Sequence, residues 1–353
     1  MPADTIDSLE PDRLPGAPHP RERLAFVGHL EGEAAFRDGI RAGRLHHAWL
    51  IGGPQGIGKA TLAYRIARYL LAQSDRQGDT ADFDLPAEHT VSRQVAALSH
   101  PNLVVLRRAA ATDKKAASAS IPVESVRRAM SLFGSTAADG GYRVCIVDSA
   151  EDLTISSANA LLKLVEEPPP RSIFLIVSHA PQRLLPTIRS RCRRLLLRAL
   201  SESEVRTIVR TLGPPWSDAP DELLDEACTL GEGSVRRTLE MLDEGKIALV
   251  RRLSKALDAL PQVDAKATLS LAESLARRDA DDAYDLMLDT VERWVAAQLR
   301  ERASLGPQRL APLVEVCEKM ARAAREVDVF NLDRRPFVLS LFDDLADAVR
   351  RAA

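Results

Sequence analysis

Short apolar runs alternate with helical patterns over the first half of the chain. Five runs are apolar at nearly every position, as expected of strands buried on both faces; they occupy residues 47–52, 102–106, 143–147, 173–177 and 195–197. Between the first four runs, apolar residues recur at helical spacing over residues 60–71, 123–133 and 156–167. This alternation predicts an α/β domain with a parallel sheet and helices on both of its faces.

The predicted helix over residues 156–167 has signals at both ends. Ser156 or Ser157 is suited to be the N-cap, because a serine hydroxyl accepts from free backbone N–H groups at a helix start. Pro168 and the two prolines after it end the helix.

The remainder of the chain is predicted to be almost entirely helical. After Leu200 the strand pattern ends, and amphipathic stretches over residues 201–212 and 222–242 predict a small helical unit. The N-terminal residues hold five prolines and few apolar side chains, which predicts a loose arm. The expected organisation is an arm at 1–22, a sheet domain at 23–199, a small helical unit at 200–245 and a helical domain at 246–353.

A glycine-rich turn follows the first predicted strand. It carries Gly53, Gly56 and Gly58 and ends in Lys59, directly before a predicted helix. Glycines let backbone N–H groups converge on phosphate oxygens, and the helix N-terminus and the lysine add positive charge. The pattern therefore predicts a phosphate-binding loop; the alternative is a plain glycine turn.

The residue after Lys59 departs from that pattern. A phosphate loop normally has Ser or Thr there, whose hydroxyl ligates Mg²⁺, whereas this chain has Ala60. Thr61 follows, but one helical residue is a rotation of about 100°, so its hydroxyl is expected to point elsewhere. Nucleotide binding therefore remains possible, and magnesium is expected to be held less well.

A second candidate position lies at the end of the strand over residues 143–147. Asp148 follows this strand and is suited to a magnesium-associated carboxylate; the alternative is a helix N-cap. Active ATPases of this type have Glu next, to orient the attacking water, but this chain has Ser149, which cannot act as that base unaided. Glu151 is expected to serve the following turn.

Composition and charge exclude several classes of protein. Forty-eight Lys and Arg residues against 50 Asp and Glu give a net charge of −2, which excludes a protein that binds DNA by bulk charge. The four cysteines form no CxxC pair, which argues against structural zinc and a disulfide framework and is typical of a reducing cytoplasm. No apolar run reaches the roughly 18 residues of a membrane span, and no secretion signal is present. We therefore expect a cytoplasmic protein with no metal site and no membrane partner.

Four segments together resemble one protein family. They are HHAWLIGGPQGIGKATLAYRIARYLL, SHPNLVVLRR, SSANALLKLVEEPPP and APQRLLPTIRSRCRRLLL, with a weaker match at FNLDRRPF near the C-terminus. These segments are similar to the AAA+ subunits of bacterial DNA polymerase III clamp loaders. The resemblance implies a RecA-like P-loop domain, a three-helix lid and an all-α C-terminal collar that joins five subunits into an open ring.

The same resemblance implies partners and a task. The expected partners are gamma/tau-type ATPase subunits and a delta subunit, with the sliding clamp and primed DNA reached through the complex. Such a ring opens the clamp and loads it on primed DNA during replication.

The resemblance also assigns roles to three residues beyond the phosphate loop. Arg191, in Ser-Arg-Cys, corresponds to the arginine finger that points to the neighbouring subunit's ATP; the alternative is a solvated basic run with its arginine neighbours. Ser178 corresponds to a polar sensor beside the γ-phosphate, and Arg236 to a lid sensor whose other interpretation is a surface charge. Glu166 and Glu167 are interpreted as structural, because neighbours on a helix do not face one site.

Three functions fit these residues to different degrees. The preferred hypothesis is a non-hydrolysing clamp-loader subunit that lends Arg191 to a neighbour and requires no cofactor, although ATP and Mg²⁺ remain possible ligands. The main alternative is an active ATPase motor of the same ring, against which Ala60 and Ser149 speak. A stand-alone P-loop enzyme such as a nucleotide kinase leaves the long helical C-terminus unexplained.

Overall fold

The chain forms two compact units, Met1–Leu239 and Glu240–Ala353. The computed structural model describes residues 10, 13–75, 83–109, 118, 120–134, 141–277 and 279–352.

The first unit has the predicted α/β architecture. Its strands are β1 (Ala48–Gly52), β2 (Leu103–Leu106), β3 (Arg143–Val147), β4 (Ser172–Ser178) and β5 (Arg193–Leu196). Its helices are α1 (Leu30–Arg41), α2 (Lys59–Leu71), α3 (Thr90–Ala96), α4 (Val123–Gly134), α5 (Ile155–Glu166), α6 (Pro186–Arg191), α7 (Glu202–Arg210), α8 (Asp221–Gly231) and α9 (Val235–Glu240). Within the described ranges the strands form one sheet in the order β2-β3-β4-β1-β5, and each neighbouring pair is parallel.

Both faces of the central strands are buried, as the continuous apolar runs predict. On β1, Trp49 and Ile51 join a core with α1 and α2, whereas Leu50 points the other way into a core with α4 and α5. Because successive side chains of a strand point to opposite faces, an apolar residue is needed at every position of such a strand.

The edge strand β5 does not follow that rule. The sequence predicts a fully buried strand over residues 195–197, but β5 covers Arg193–Leu196, and Leu196 is 68% exposed. β5 pairs with β1 on one side only, so its outer edge lacks the second neighbour that buries β3 and β4. The prediction of two-sided burial is wrong for this strand.

Helix α1 packs closely under this edge. It contains Gly32, and a Cβ there would lie 3.3 Å from Leu197 Cδ2 and 3.5 Å from Leu195 Cδ2. Glycine lowers helix propensity, but here it permits a close approach to the sheet.

The described part of the N-terminal arm is packed, contrary to the loose arm predicted over residues 1–22. Ala17 and His19 are buried. Arg21 Nε donates to the Ala96 carbonyl at 2.8 Å, and Trp216 Nε1 donates to the Gly16 carbonyl at 3.3 Å. These partners are distant in sequence, so the proline content of the segment gives no sign of them.

Two helix boundaries differ from the sequence-based prediction. Thr154, and neither Ser156 nor Ser157, caps α5, because its side chain accepts from the Ser157 N–H at 3.1 Å. The single helix expected over residues 222–242 is two helices, α8 and α9. Gly233 lies between them at φ +79°, and a Cβ there would lie 2.3 Å from the Leu200 carbonyl oxygen.

The second unit is all-α within its described residues. Its helices are α10 (Glu244–Asp258), α11 (Ala265–Leu275), α12 (Asp281–Glu301), α13 (Pro307–Phe330) and α14 (Arg334–Ala352). They share a separate hydrophobic core that includes Met287, Val291 and Phe342.

Candidate functional site

The carboxyl ends of β1, β3 and β4 converge on one cavity of the first unit. These three strands are neighbours in the parallel sheet, so the loops that follow them meet at one edge. The cavity has a volume of about 240 Å³. Its polar lining includes residues 55–61 of the glycine-rich turn together with Asp148, Ser149, His179, Arg107 and Arg236.

The glycine-rich turn has the backbone of a phosphate cradle. Gly53, Gly56 and Gly58 have φ values of +145°, +76° and +95°, in the region that favours glycine. A Cβ on Gly53 would lie 2.4 Å from the Leu197 carbonyl oxygen, and one on Gly56 would lie 2.2 Å from Ser234 Oγ. Helix α2 begins at the next residue, so its N-terminal N–H groups and positive dipole end adjoin the cradle.

Lys59 is buried in this turn. Its Nζ donates to the Gly53 carbonyl at 2.8 Å and to the Pro54 carbonyl. Burial lowers the pKa of its ammonium to about 8, although the negative charges of Glu151 and Asp148 act in the other direction. The ammonium therefore remains protonated at pH 7 and lies beside the glycine cradle.

The residues present fit a phosphate group better than a magnesium ion. Ala60 and Thr61 both line the cavity, so Thr61 contributes to the wall even though helical geometry predicts that it turns away. Alanine has no ligand atom, which leaves the Asp148 carboxylate as the magnesium ligand that the sequence predicts at this cavity. Magnesium in nucleotide sites is usually bound by one or two carboxylates together with waters and substrate phosphates, and the hydroxyl that Ala60 lacks would remove one ligand from that set.

Glu151 is a site residue that the sequence-based interpretation assigned only to the following turn. Its carboxylate accepts from Ser178 Oγ at 2.5 Å, from the Ala180 N–H at 2.6 Å and from Ser149 Oγ at 2.8 Å. Burial raises its pKa, but these hydrogen bonds outweigh burial and leave the pKa lowered. Glu151 therefore joins the ends of β3 and β4 as a fixed anion. The signal in the sequence that could have identified Glu151 is its position, an acidic residue four positions after the end of β3.

His179 belongs to the same cluster. Its Nε2 lies 3.1 Å from Ser149 Oγ, so the serine is held from two sides, by the imidazole and by Glu151. Ser149 is 5% exposed. The position at which an active ATPase has a free carboxylate is thus occupied by a small, fully engaged hydroxyl.

The N-terminal segment and helices α7 and α9 line the rest of the cavity, largely with apolar side chains. These apolar residues are Leu14, Ala17, Pro18, Pro20, Ala25, Phe26, Val27, Ile208, Leu212, Val235 and Leu239, and the segment also contributes Arg13, His19 and Arg23. A lining that combines an apolar part with a polar, positively charged part suits a ligand that carries both a flat base and phosphates.

Arginines tie the N-terminal segment to the end of β2. Arg107, which lines the cavity, and Arg21 each lie 2.9 Å from the Glu10 carboxylate. Burial disfavours the ionised Glu10, but the hydrogen bonds from Arg21 and Arg107 prevail and hold its pKa at about 2. His19 lies beside this network, and burial together with Arg21 lowers its pKa to about 3. His19 is therefore neutral at physiological pH.

The two sensor candidates lie in different surroundings. Arg236 lines the cavity, and its Cβ would lie 2.7 Å from a Cβ on Gly56, which brings α9 against the phosphate loop. Ser178 is fully buried at the end of β4, and its hydroxyl donates to Glu151.

Arg191 is absent from the cavity wall and lies on the surface at the end of α6. Its Nη2 is 2.7 Å from Glu166 Oε1, and the two side chains are 40% and 39% exposed. Among its arginine neighbours, Arg193 is exposed, and its guanidinium carbon lies 4.7 Å from the centroid of the Trp49 ring. Arg194 is exposed.

Among the residues that the structure describes, no three His, Cys, Asp or Glu side chains are close enough to share a metal ion. In the same part of the chain, no helix is long and apolar enough to cross a membrane.

One protein family matches most of the residues of this site. A family described as DNA polymerase III, delta subunit, matches residues 30–201. The matched segment contains the phosphate loop, Asp148, Ser178 and Arg191, and it ends before Arg236.

Curated relatives of two kinds are similar to this chain. The DNA polymerase III subunit delta' of Pseudomonas aeruginosa is 35% identical over 188 residues, which are 53% of each chain. The DNA polymerase III subunit gamma/tau of Mycobacterium tuberculosis strain H37Rv is 31% identical over 315 residues, 81% of this chain and 51% of the relative. The chain thus spans about half the length of these curated relatives.

A solved structure also aligns with this chain. It is the crystal structure of a DNA polymerase III gamma subunit-related protein from Thermotoga maritima, with a TM-score of 0.35 and 17% identity over 87% of this chain and 95% of its own. The parallel sheet order and the phosphate loop at the end of β1 are those of the AAA+ fold predicted from the sequence.

Proposed function

We propose that the chain is a non-hydrolysing, delta-prime-type subunit of the DNA polymerase III clamp loader. In this role it helps to load the sliding clamp on primed DNA and supplies Arg191 to the nucleotide of a neighbouring ATPase subunit. One observation carries the proposal: the cradle and Lys59 are retained, whereas the positions for the magnesium hydroxyl and the catalytic carboxylate hold Ala60 and Ser149.

Glu151 does not replace the missing carboxylate. A general base needs a free lone pair within reach of the attacking water. The Glu151 oxygens already accept three hydrogen bonds, from Ser149, Ser178 and the Ala180 N–H. The lowered pKa of Glu151 also makes its carboxylate a weaker base. This carboxylate is therefore engaged in holding the strand ends together.

The cavity nevertheless supports nucleotide binding. Lys59 supplies a buried positive charge, the glycines leave room for phosphate oxygens, and the apolar wall suits a base. A nucleotide held there without turnover would act as a structural ligand that holds the N-terminal segment, the phosphate loop and the start of α9 together.

The surface position of Arg191 supports its action on a neighbour. The guanidinium is a planar, permanently charged fork that suits phosphate oxygens. It lies on the surface rather than in the chain's own cavity wall, so a nucleotide on another subunit is its natural target. The proposed partners are gamma/tau-type ATPase subunits and a delta subunit, with the clamp and primed DNA bound by the complex.

An active motor subunit is the second candidate. The similarity to a gamma/tau subunit over 81% of the chain favours it. Ala60 and Ser149 oppose it, because both functional groups are missing from the same cavity.

Reconstitution with gamma/tau-type and delta subunits distinguishes these candidates. Lys59→Ala in this chain should leave clamp loading by the complex nearly intact, whereas Arg191→Ala should lower its DNA- and clamp-stimulated hydrolysis. Native mass measurement of each mixture checks that both variants enter the complex. Loss of loading by an assembled Lys59→Ala complex would favour the motor.

A further inference from the structure

The Arg191 guanidinium is held by its own subunit from two sides. Its Nη1 donates to the Thr187 carbonyl at 3.0 Å and to Ser190 Oγ at 3.4 Å, both within or beside the same turn. Its Nη2 forms an ion pair of 2.7 Å with Glu166, which belongs to another helix, α5. The end of the fork that a phosphate would bind is therefore occupied by a carboxylate.

Helix stability does not explain a glutamate at this position. Glu166 is the last residue of α5, where the negative end of the helix dipole disfavours a carboxylate. Glu167, the next residue, has the same charge, but the structure gives it no ion pair within the described ranges. The distinguishing property of Glu166 is its contact with Arg191.

We propose that Glu166 is a positioning residue that holds Arg191 on its own subunit until the phosphate of a neighbour's nucleotide displaces the carboxylate. The inference rests on the proposed function, in which Arg191 acts on a neighbour. Carboxylate and phosphate bind the same face of a guanidinium, so they compete for the same N–H donors. A nucleoside triphosphate carries more negative charge than one carboxylate and is the stronger competitor at the subunit boundary.

The surface position of the pair makes the exchange feasible. An ion pair with both side chains more than a third exposed is screened by solvent and is weak, so it orients the arginine without trapping it. A buried pair would require a large desolvation change for each engagement. Glu166 thus sets how much nucleotide the neighbouring subunit must bind before Arg191 leaves Glu166 and binds the phosphate.

The test compares Glu166→Gln with Glu167→Gln in the reconstituted complex. Both variants remove one negative charge from the same helix end, but only the first removes the partner of Arg191. Glu166→Gln should lower the ATP concentration for half-maximal hydrolysis by about 1.4- to 5-fold, the range for an exposed ion pair, with little change in the maximal rate. Glu167→Gln should match the wild-type complex.

Two further measurements separate positioning from a general structural effect. The decrease in the half-maximal ATP concentration caused by Glu166→Gln should vanish when Arg191→Ala is also present. In that background the double-mutant cycle contains no arginine for Glu166 to bind. It should also shrink at high ionic strength, at which exposed ion pairs are screened.

The outcomes distinguish this inference from the function on which it rests. If Arg191→Ala lowers hydrolysis but Glu166→Gln behaves like Glu167→Gln, the positioning role is wrong and the finger stands. The positioning role is equally wrong if the Glu166→Gln effect persists with Arg191→Ala. If Arg191→Ala in an assembled complex leaves hydrolysis unchanged, the finger and its positioning residue are both overturned.

Discussion

Gly56 joins the phosphate loop to α9, and its replacement by alanine tests that contact. A Cβ at position 56 would lie 2.2 Å from Ser234 Oγ, 2.7 Å from Arg236 Cβ and 3.2 Å from the Arg236 backbone nitrogen. The serine hydroxyl can rotate away, but the backbone of α9 cannot move without loss of its packing. The substitution should therefore push α9 away from the loop.

Gly43 provides a matched control for the backbone conformation. It has φ +61°, close to the +76° of Gly56, but a Cβ added there would meet no atom within 4 Å. Alanine in this region costs about 1–2 kcal/mol from local strain alone, which is the expected effect of Gly43→Ala. Overpacking adds about 1–3 kcal/mol, so Gly56→Ala should cost roughly 2–5 kcal/mol.

Urea unfolding of both variants measures this difference, and titration with a fluorescent nucleotide measures its effect on the cavity. Gly56→Ala should lose more unfolding free energy than Gly43→Ala and should bind nucleotide more weakly, while Gly43→Ala should bind like the wild type. Equal losses of stability, together with unchanged binding by Gly56→Ala, would refute the close contact between the loop and α9.

Three other predictions follow from the site and the domain organisation. Nucleotide affinity should fall as pH rises through about 8, because the Lys59 ammonium then loses its proton, and Lys59→Ala should show weak binding with little pH dependence in the same titration. Arg191→Lys should restore little of the complex hydrolysis that Arg191→Ala loses, because the point charge of lysine does not reproduce the planar fork of arginine. Arg194→Ala should change hydrolysis little in the same assay. Truncation after Gly245 should leave a folded first unit that no longer enters the complex, as judged by gel filtration of the mixture; normal assembly would contradict this placement of the oligomer contacts.

The central strands were predictable because their environment is simple. β1, β3 and β4 each have two neighbours in the sheet and helices on both faces, so nearly every side chain is apolar and the sequence reports it directly. β5 has one neighbour and begins with two exposed arginines. Its apolar pattern therefore predicts a start at residue 195, two residues after the strand begins at Arg193. A sequence pattern reflects burial, and burial at a sheet edge is decided by the strand order.

The phosphate loop was predictable for a different reason. Its glycines need a positive φ, and this local requirement leaves a signature in the residues themselves. Glu151 has no such signature, since its three partners come from the ends of two different strands. The packed N-terminal segment was missed for the same reason, because its contacts with Ala96 and Trp216 are long-range.

ATP turnover by the purified chain alone tests the central claim most directly. Phosphate release is measured at saturating ATP and Mg²⁺ for the wild-type chain and for Lys59→Ala. The account predicts no release by the wild type above the Lys59→Ala background, because Ala60 and Ser149 leave the cavity without a magnesium hydroxyl and a free base. Steady release by the wild-type chain that Lys59→Ala abolishes would contradict it.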